Sequence, residues 1–235
     1  MAENHRKQVN GMSKFYEDYP DLYDCLYSQE LHEDFVNFVL QNIDLETDES
    51  LLSVGCGTGE KVKMLENSGM DVTGLEPAQK SFEKAKEKTS ADLRKDSIPN
   101  SDLESRFDVV VALFSVLNHI DTDRIENSIR ELYSLTSEGG TLIFDIRSFP
   151  EDPGWTLELF GSGLEKNIKA EKITRKESSF VRKTAVVGPR GIFLDKVEFT
   201  ALEESNIRSI LDEMECDYSV HREHRTEFIF FVVKK

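Results

Sequence analysis

Positive charge is scarce in this sequence. Its 29 Lys and Arg are outnumbered by 45 Asp and Glu, for a formal charge of −16 at pH 7. A chain this acidic has no net attraction to a phosphate backbone, so no nucleic-acid partner is expected. Cysteine is scarcer still. Cys25, Cys56 and Cys216 stand without C-x-x-C spacing, which excludes a disulfide framework and a structural zinc and points to a reducing compartment. No run of about 18 apolar residues occurs, so no helical membrane span is expected. The first residues, MAENHRKQVNGMSK, contain no apolar stretch of a secretory signal, and the cytoplasm is the expected location. His221-Arg222-Glu223-His224 has no further ligands around it, and no metal is expected.

What the chain does contain is enough for one α/β domain with an elaboration: 235 residues, 38% hydrophobic. Leu31, Phe35, Phe38 and Val39 recur at helical spacing, which predicts an amphipathic helix from about Ser28 to Ile43. An alternation then begins. Leu51–Val54 reads as a strand, Glu60–Asn67 as a helix closed by Gly69, Asp71–Leu75 as a strand and Ala78–Lys88 as a helix. A short strand lies near Ala91–Lys95, and Phe107–Leu113 (FDVVVAL) reads as a parallel strand buried on both faces. A helix marked by Ile125, Ile129, Leu132 and Tyr133 is expected to end at Gly139-Gly140, before a strand over Thr141–Ile146. After Pro150 the rhythm changes. Phe180–Val187 and Ile192–Thr200 read as a hairpin around Gly188-Pro189-Arg190-Gly191, with Asn167–Arg175 as a third strand. Leu202–Met214 then reads as a helix, followed by strands near Tyr218–Arg222 and Phe228–Val233. The predicted class is α/β, a parallel sheet with helices on both faces. Residues 1–45 form an aromatic N-terminal unit and 46–235 the main domain, with an antiparallel insertion at 155–200.

Gly55-Cys56-Gly57-Thr58-Gly59 sits where a strand meets a helix. Glycines there permit positive φ and let a ligand touch the backbone, while the helix start offers free N–H groups to an anion. The spacing is G-x-G-x-G, and Glu60 occupies the place of the third glycine of the dinucleotide fingerprint. Glu76, at the end of the second strand, is placed to bind ribose hydroxyls. Turn and acid together point to a nucleoside ligand.

LLSVGCGTG, VTGLEP, FDVVVALFSVLNHI and GGTLIFDI, in this order and spacing, resemble the class I S-adenosylmethionine-dependent methyltransferases. The likeness covers about residues 15–150, and the last helix and strands more loosely. It implies a seven-stranded Rossmann-like sheet with the last strand antiparallel and S-adenosyl-L-methionine as cofactor. Gly55, Cys56 and Gly57 would line the methionine part and Glu76 would hold the ribose, with Tyr23, Pro77, Ser97, Leu113 and Phe114 completing the site. The family's acid near the adenine falls on Asp96, with Asp92 as the alternative.

The stretch Leu113–His119 resembles more narrowly the amino-sugar N-methyltransferases, in which a histidine lies near the acceptor amine. His119 takes that place and would act as a base near neutrality; the alternative is a histidine that caps the next helix. Tyr16, Tyr19 and Tyr23 are candidates for a lid, with Tyr16 as a second catalytic residue and Tyr19 facing the acceptor; packing of a mobile helix is the plainer role. Arg147 would place a cation near the acceptor pocket. Lys172, Arg175, Arg182, Lys183 and Arg190 crowd the insertion. They form either a solvated surface or a site for a phosphate or carboxylate of the acceptor, with Arg175 and Arg182 the residues singled out. Methyl transfer to a small molecule, at nitrogen before oxygen or carbon, is the expected activity. A catalytically silent cofactor-binding module is the alternative, and either a monomer or a homodimer is compatible with the sequence.

Overall fold

The structure, a computed structural model, describes residues 13–46, 49–148, 154–161, 166–222 and 227–235. The polar start of the N-terminal unit and the pair Glu223-His224 lie outside them. In chain order the helices are α1 (Lys14–Glu17), α2 (Pro20–Leu26), α3 (Gln29–Gln41), α4 (Glu60–Asn67), α5 (Gln79–Lys88), α6 (Ile125–Leu135) and α7 (Glu204–Glu213). The strands begin with β1 (Ser50–Val54), β2 (Asp71–Leu75), β3 (Asp92–Arg94), β4 (Phe107–Ala112) and β5 (Thr136–Arg147). They continue with β6 (Trp155–Phe160), β7 (Asn167–Arg175), β8 (Ser179–Gly188), β9 (Gly191–Thr200), β10 (Asp217–Arg222) and β11 (Phe228–Lys234). None of the described helices is long and apolar enough to cross a membrane.

Among the described residues, seven strands form the main sheet in the order β10-β11-β5-β4-β1-β2-β3. The five strands from β1 to β5 pair in parallel, and β11 runs antiparallel between β5 and β10. This is the expected architecture. The uninterrupted apolar run of β4 is explained by its place at the centre of the sheet, where both faces are covered. Val109 and Val111 pack on one side with Phe35, Val39, Val62 and Leu65 of α3 and α4. Val110 and Ala112 pack on the other with Ile129, Leu132, Ile207 and Leu211 of α6 and α7. The two-residue period of the strand thus divides one apolar run between two cores.

Local chemistry sets the helix ends. Ser28 Oγ accepts from the Leu31 N–H at 3.2 Å and starts α3. Gly59, at φ +84°, starts α4; a Cβ there would lie 3.0 Å from Ala85 Cα, so the approach of α4 to α5 requires glycine. Gly139-Gly140 does not end α6. That helix stops at Leu135, where Thr136 turns directly into extended backbone. The glycines lie within β5, where its pairing with β4 slips between Phe107–Thr136 and Val109–Thr141. A Cβ on Gly140 would come within 2.6 Å of the Asp108 carbonyl oxygen, so the bulge rather than a helix stop explains the residue.

The insertion is a separate antiparallel sheet, β6-β7-β8-β9, one strand wider than the sequence suggested. Pro189 and Arg190 form its β8–β9 turn. Its inner face buries Phe180, Val197 and Phe199. The N-terminal segment closes onto the same face. Ser13 Oγ and the Lys14 N–H donate to the two carboxylate oxygens of Asp195 at 2.7 and 2.8 Å, and Phe15 and Tyr23 pack against Val186.

Candidate functional site

Strand order reverses at β1, with β2 on one side and β4 on the other, so the loops leaving their C-terminal ends diverge. Such a switch point is where open α/β sheets bind ligands. A cavity of about 970 Å³, counting its open mouth, lies there, within the roughly 300–1,000 Å³ common for small-molecule sites. Gly55 and Gly57 form its floor at φ +64° and +59°. The Cβ position of Gly57 faces open space, whereas one on Gly55 would meet Val116 at 2.7 Å. Cys56 is buried, and burial pushes its thiol well above its ordinary range, so it is an inert small side chain here.

Glu76 lies across from this turn. It is buried, and its carboxylate accepts from the Gly57 and Ala78 N–H groups, both at 2.8 Å. Burial pushes it up to about 7 despite those two bonds. Pro77, Ser97, Leu113 and Phe114 also line the cavity. Asp96 does not. Its two oxygens accept from the N–H groups of Ser97 and Asp102, each at 2.8 Å, so it holds the loop that carries Ser97 and Ile98 into the cavity. The alternative, Asp92, is exposed and bonded to Arg94.

The loop after β4 takes an unusual path. Phe114 and Ser115 adopt φ of +76° and +65° without being glycine, at a cost of roughly 1–2 kcal/mol each. Asp145, fully buried on β5, compensates. Its Oδ1 accepts from the Phe114 N–H at 2.5 Å and its Oδ2 from the Ser115 N–H at 2.7 Å. Burial pushes this carboxyl up to about 7. Buried Asn118 joins the two sheets. Its amide nitrogen donates to the carbonyls of Arg147 and Thr200 at 3.3 and 3.0 Å, and its oxygen accepts from the Arg147 N–H at 2.8 Å.

His119 lines the cavity, its ring 5.6 Å from that of Tyr16 and 4.7 Å from that of Phe199. A base near neutrality was the expectation. Enclosure, together with the nearby Arg182 guanidinium, pushes His119 down to about 3. Both influences favour the neutral imidazole. Tyr16 and Tyr23 close the cavity with ring centroids 4.8 Å apart, and burial pushes both phenols above their ordinary range.

None of the four polar side chains assigned to the acceptor lines the cavity. Tyr19 packs on Phe193 at 5.0 Å, outside the cavity. Arg147 turns outward onto Glu227, with N–O distances of 2.9 Å, because that acid arrives on the neighbouring antiparallel strand's approach. Arg175 is exposed, beside Glu203 at 3.7 Å. Arg182 is buried behind Tyr27 and Phe199, 3.4 Å from the Tyr27 hydroxyl and 3.8 Å from Glu171. It acts on the cavity through its charge.

Three contributors carried no sequence signal. Lys61 lines the cavity, buried, with Nζ 4.8 Å from the centre of the Phe114 ring, and burial lowers its pKa. His32, also in the lining, is pushed down to about 4 by burial and by Lys61. Asp24 ties the lid to the glycine turn, accepting from Thr58 Oγ1 at 2.5 Å and pairing with Lys84 and Lys88. Although burial opposes it, those hydrogen bonds hold Asp24 below the ordinary carboxylate range.

Residues 51–140 match the family described as a methyltransferase domain. The likeness to a methyltransferase domain thus takes in the glycine turn, Glu76 and the loop after β4. An uncharacterized protein of Methanocaldococcus jannaschii is 27% identical over 177 residues, which cover 73% of this chain and 65% of that protein. The chain spans between 56% and 65% of the length of the curated relatives it matches. In solved structures the methyltransferase fold recurs at full length. CalS10, an amino pentose methyltransferase from Micromonospora echinaspora, superimposes with a TM-score of 0.79 at 20% identity, covering 93% of this chain and 97% of its own. DesVI from Streptomyces venezuelae does so with a TM-score of 0.81 at 19% identity, covering 92% and 98%.

Proposed function

We propose that this protein transfers a methyl group from S-adenosylmethionine to a small-molecule acceptor, at an amine nitrogen. The observation that carries the reading is the cavity at the switch point, floored by Gly55 and Gly57, flanked by Glu76 and closed by Tyr16, Tyr23 and His119. The residues present fit the cofactor. The open Cβ position at Gly57 leaves room for a ligand against the backbone, and the Glu76 carboxylate keeps unused lone pairs for ribose hydroxyls. Pro77, Ile98 and Leu113 offer apolar surface to a base, and Lys61 supplies a buried ammonium for a carboxylate. When bound, S-adenosylmethionine supplies an electrophilic methyl group on a sulfonium sulfur.

The chain's own contribution is to position a nucleophile and control its protonation. Burial and the Arg182 charge act on an amine beside His119 as they act on His119 itself: both disfavour the cationic form. An amine therefore enters the cavity neutral, with its lone pair free. No group with a pKa near 7 needs to take its proton before attack, and neutral His119 serves to orient the nitrogen through a hydrogen bond. The description of CalS10 as an amino pentose methyltransferase supports a nitrogen acceptor.

Calorimetric titration with S-adenosylhomocysteine and with NADH tests the first half of the proposal: the former is expected to bind and the latter not. A labelled-methyl screen over amines, alcohols and carbon acids tests the second, and label entering only oxygen or carbon acceptors would overturn the nitrogen assignment. For His119→Asn, kcat/KM is expected to fall roughly tenfold, well short of the roughly 10²–10⁴-fold of a lost general base. Its pH profile should run parallel to the wild type. A wild-type inflection near 6.5 that vanishes in the variant would restore His119 as the base.

A further inference from the structure

The N-terminal segment 13–27 lies over the cavity as a strap, and different chemistry holds its two edges. Toward the insertion sheet the contact is apolar: Phe15 and Tyr23 bury against Val186, with Phe160 and Phe193 packed on them. That cluster takes in none of the described residues of α5. Toward α5 the contact is polar and charged. Asp18, Asp21 and Asp24 recur every three residues, and Lys80, Lys84 and Lys88 every four. Such spacings place Asp21 and Asp24 on one face of α2 and the three lysines on one face of α5. The two sets meet rung by rung. Lys80 Nζ lies 4.0 Å from Asp18, Lys84 Nζ 2.5 Å from Asp21 and 2.7 Å from Asp24, and Lys88 Nζ 2.6 Å from Asp24. Ser81 Oγ donates a further bond of 2.9 Å to the Tyr16 carbonyl.

This charged seam runs beside the cavity. Pro77, at the entry to α5, and Thr58 and Glu60, at the glycine turn, all line it. From Lys80 to Lys88 the helix covers about 12 Å of that edge, at about 1.5 Å per residue. The last rung is fixed to the turn itself: Asp24 Oδ1 accepts from Thr58 Oγ1 at 2.5 Å, and Lys88 also reaches Glu60 at 2.5 Å. We infer that the cofactor enters and leaves through the seam between the strap and α5, and that the rungs made by Asp21, Asp24 and Lys84 set its rate of exchange. The inference rests on the cavity being the S-adenosylmethionine site.

The two edges differ in what it takes to part them. Lifting the strap from the insertion sheet would expose Phe15 and Tyr23, both buried, to water. Lifting it from α5 breaks ion pairs that are individually weak where water reaches them. Asp21 is 78% exposed, and Asp18 and Lys80 are about half exposed, so solvent enters this seam from outside. Its inner rung is firmer, with the Lys84 and Asp24 side chains mostly shielded. Burial opposes ionisation of both, yet their hydrogen bonds hold Asp24 below the ordinary carboxylate range and Lys84 above the ordinary ammonium range. The strap therefore hinges on its apolar edge and parts at its charged one, and parting there draws Tyr16 away from Ser81 and uncovers the cavity.

Labelled S-adenosylhomocysteine chased with an excess of the unlabelled compound reads the rate of release. This ligand carries no net charge at neutral pH, so salt acts on the seam and not on long-range attraction. As NaCl rises from about 0.1 M to about 1 M the screening length falls from about 10 Å to about 3 Å, and release is expected to accelerate roughly tenfold. Lys84→Met is expected to release roughly fivefold faster at low salt and to respond little to added salt, with Lys84→Arg at the wild-type rate. Lys63→Met removes the same charge from the Glu66 pair on α4 and is expected to change nothing. Should Lys84→Met fail to fold, Asp21→Asn on the exposed edge is expected to accelerate release in the same sense. Hydrogen exchange of the α2 amides is expected to quicken in the seam variants, with that of β8 and β9 unchanged. Release that ignores both salt and the seam variants overturns the gate alone, as does faster release without faster α2 exchange. Failure to bind S-adenosylhomocysteine at either salt removes the cofactor reading and the gate with it.

Discussion

Glu76→Ala is expected to weaken S-adenosylhomocysteine binding roughly 100-fold, about 2.8 kcal/mol at 1.4 kcal/mol per factor of ten. The substitution removes the acceptor proposed for the ribose and leaves the Gly57 and Ala78 N–H groups without their partner. Glu76→Gln keeps one acceptor oxygen and is expected to lose roughly tenfold, because charge-assisted bonds are about twice as strong as neutral ones. Calorimetry on both variants checks this, and wild-type affinity in the alanine variant would remove Glu76 from the cofactor site. The same residue sets a pH dependence. Its folded-state pKa of about 7 lies above the ordinary 4.5, so its stabilising contribution is complete below 4.5 and is lost as pH rises through 7. The thermal midpoint of the unliganded wild type, measured relative to that of Glu76→Gln, is expected to fall over that window. His32 and His119, pushed below the ordinary 6.5, act in the opposite sense in both proteins and cancel in the difference.

Asp145→Ala is expected to be the most damaging single change to the body of the domain. Two N–H groups lose their partners at about 1–3 kcal/mol each, and Phe114 and Ser115 are left at positive φ with nothing to hold them. A loss of about 4 kcal/mol of unfolding free energy follows, together with collapse of the cavity wall and at least roughly 100-fold lower cofactor affinity. Asp145→Asn keeps one acceptor and is expected to fall between. Urea unfolding and calorimetry read the two effects separately, and an alanine variant with the wild-type urea midpoint would show that the turn holds itself. Asp145 also titrates in the folded protein near 7, above the ordinary 3.8, so it adds to the loss of stability between 3.8 and 7.

Much of this was legible in the chain. The alternation from Leu51 to Ile146 gave the sheet its order of strands and helices, because hydrophobic period is a local property that each strand carries with it. Position along the strands told which loops meet at the crevice, and the glycine turn and Glu76 lie together there for that reason. The widths of elements were less legible. β6 was missed although Trp155-Thr156-Leu157-Glu158-Leu159 alternates apolar and polar residues; the run is short, and its apolar side chains face outward instead of into a core. Gly139-Gly140 looked like a helix stop, since a glycine's need is set by what approaches it, here the Asp108 carbonyl.

Side-chain destinations were the least legible. Arg147 was assigned to the acceptor from its place after β5, yet Glu227, 80 positions later in the chain, decides where its guanidinium goes. Tyr19 and Arg175 likewise follow partners that only the fold brings near. Lys61 and Asp24 carried no signal in the sequence, and the closing of the N-terminal segment over α4 and α5 made one a buried ammonium and the other a clasp.

By itself the sequence determined the Rossmann-like sheet and the turn that a nucleoside cofactor requires, because strand period, glycine spacing and a strand-end acid act over short distances. Only the tertiary structure decided the protonation of the site. His119 is ordinary as a residue; enclosure by Tyr16 and Phe199 beside Arg182 makes it neutral. Glu76 and Asp145 are ordinary carboxylates until burial raises them. Desolvation and the distances between charges are properties of the packed chain, and they have no counterpart in the order of its residues.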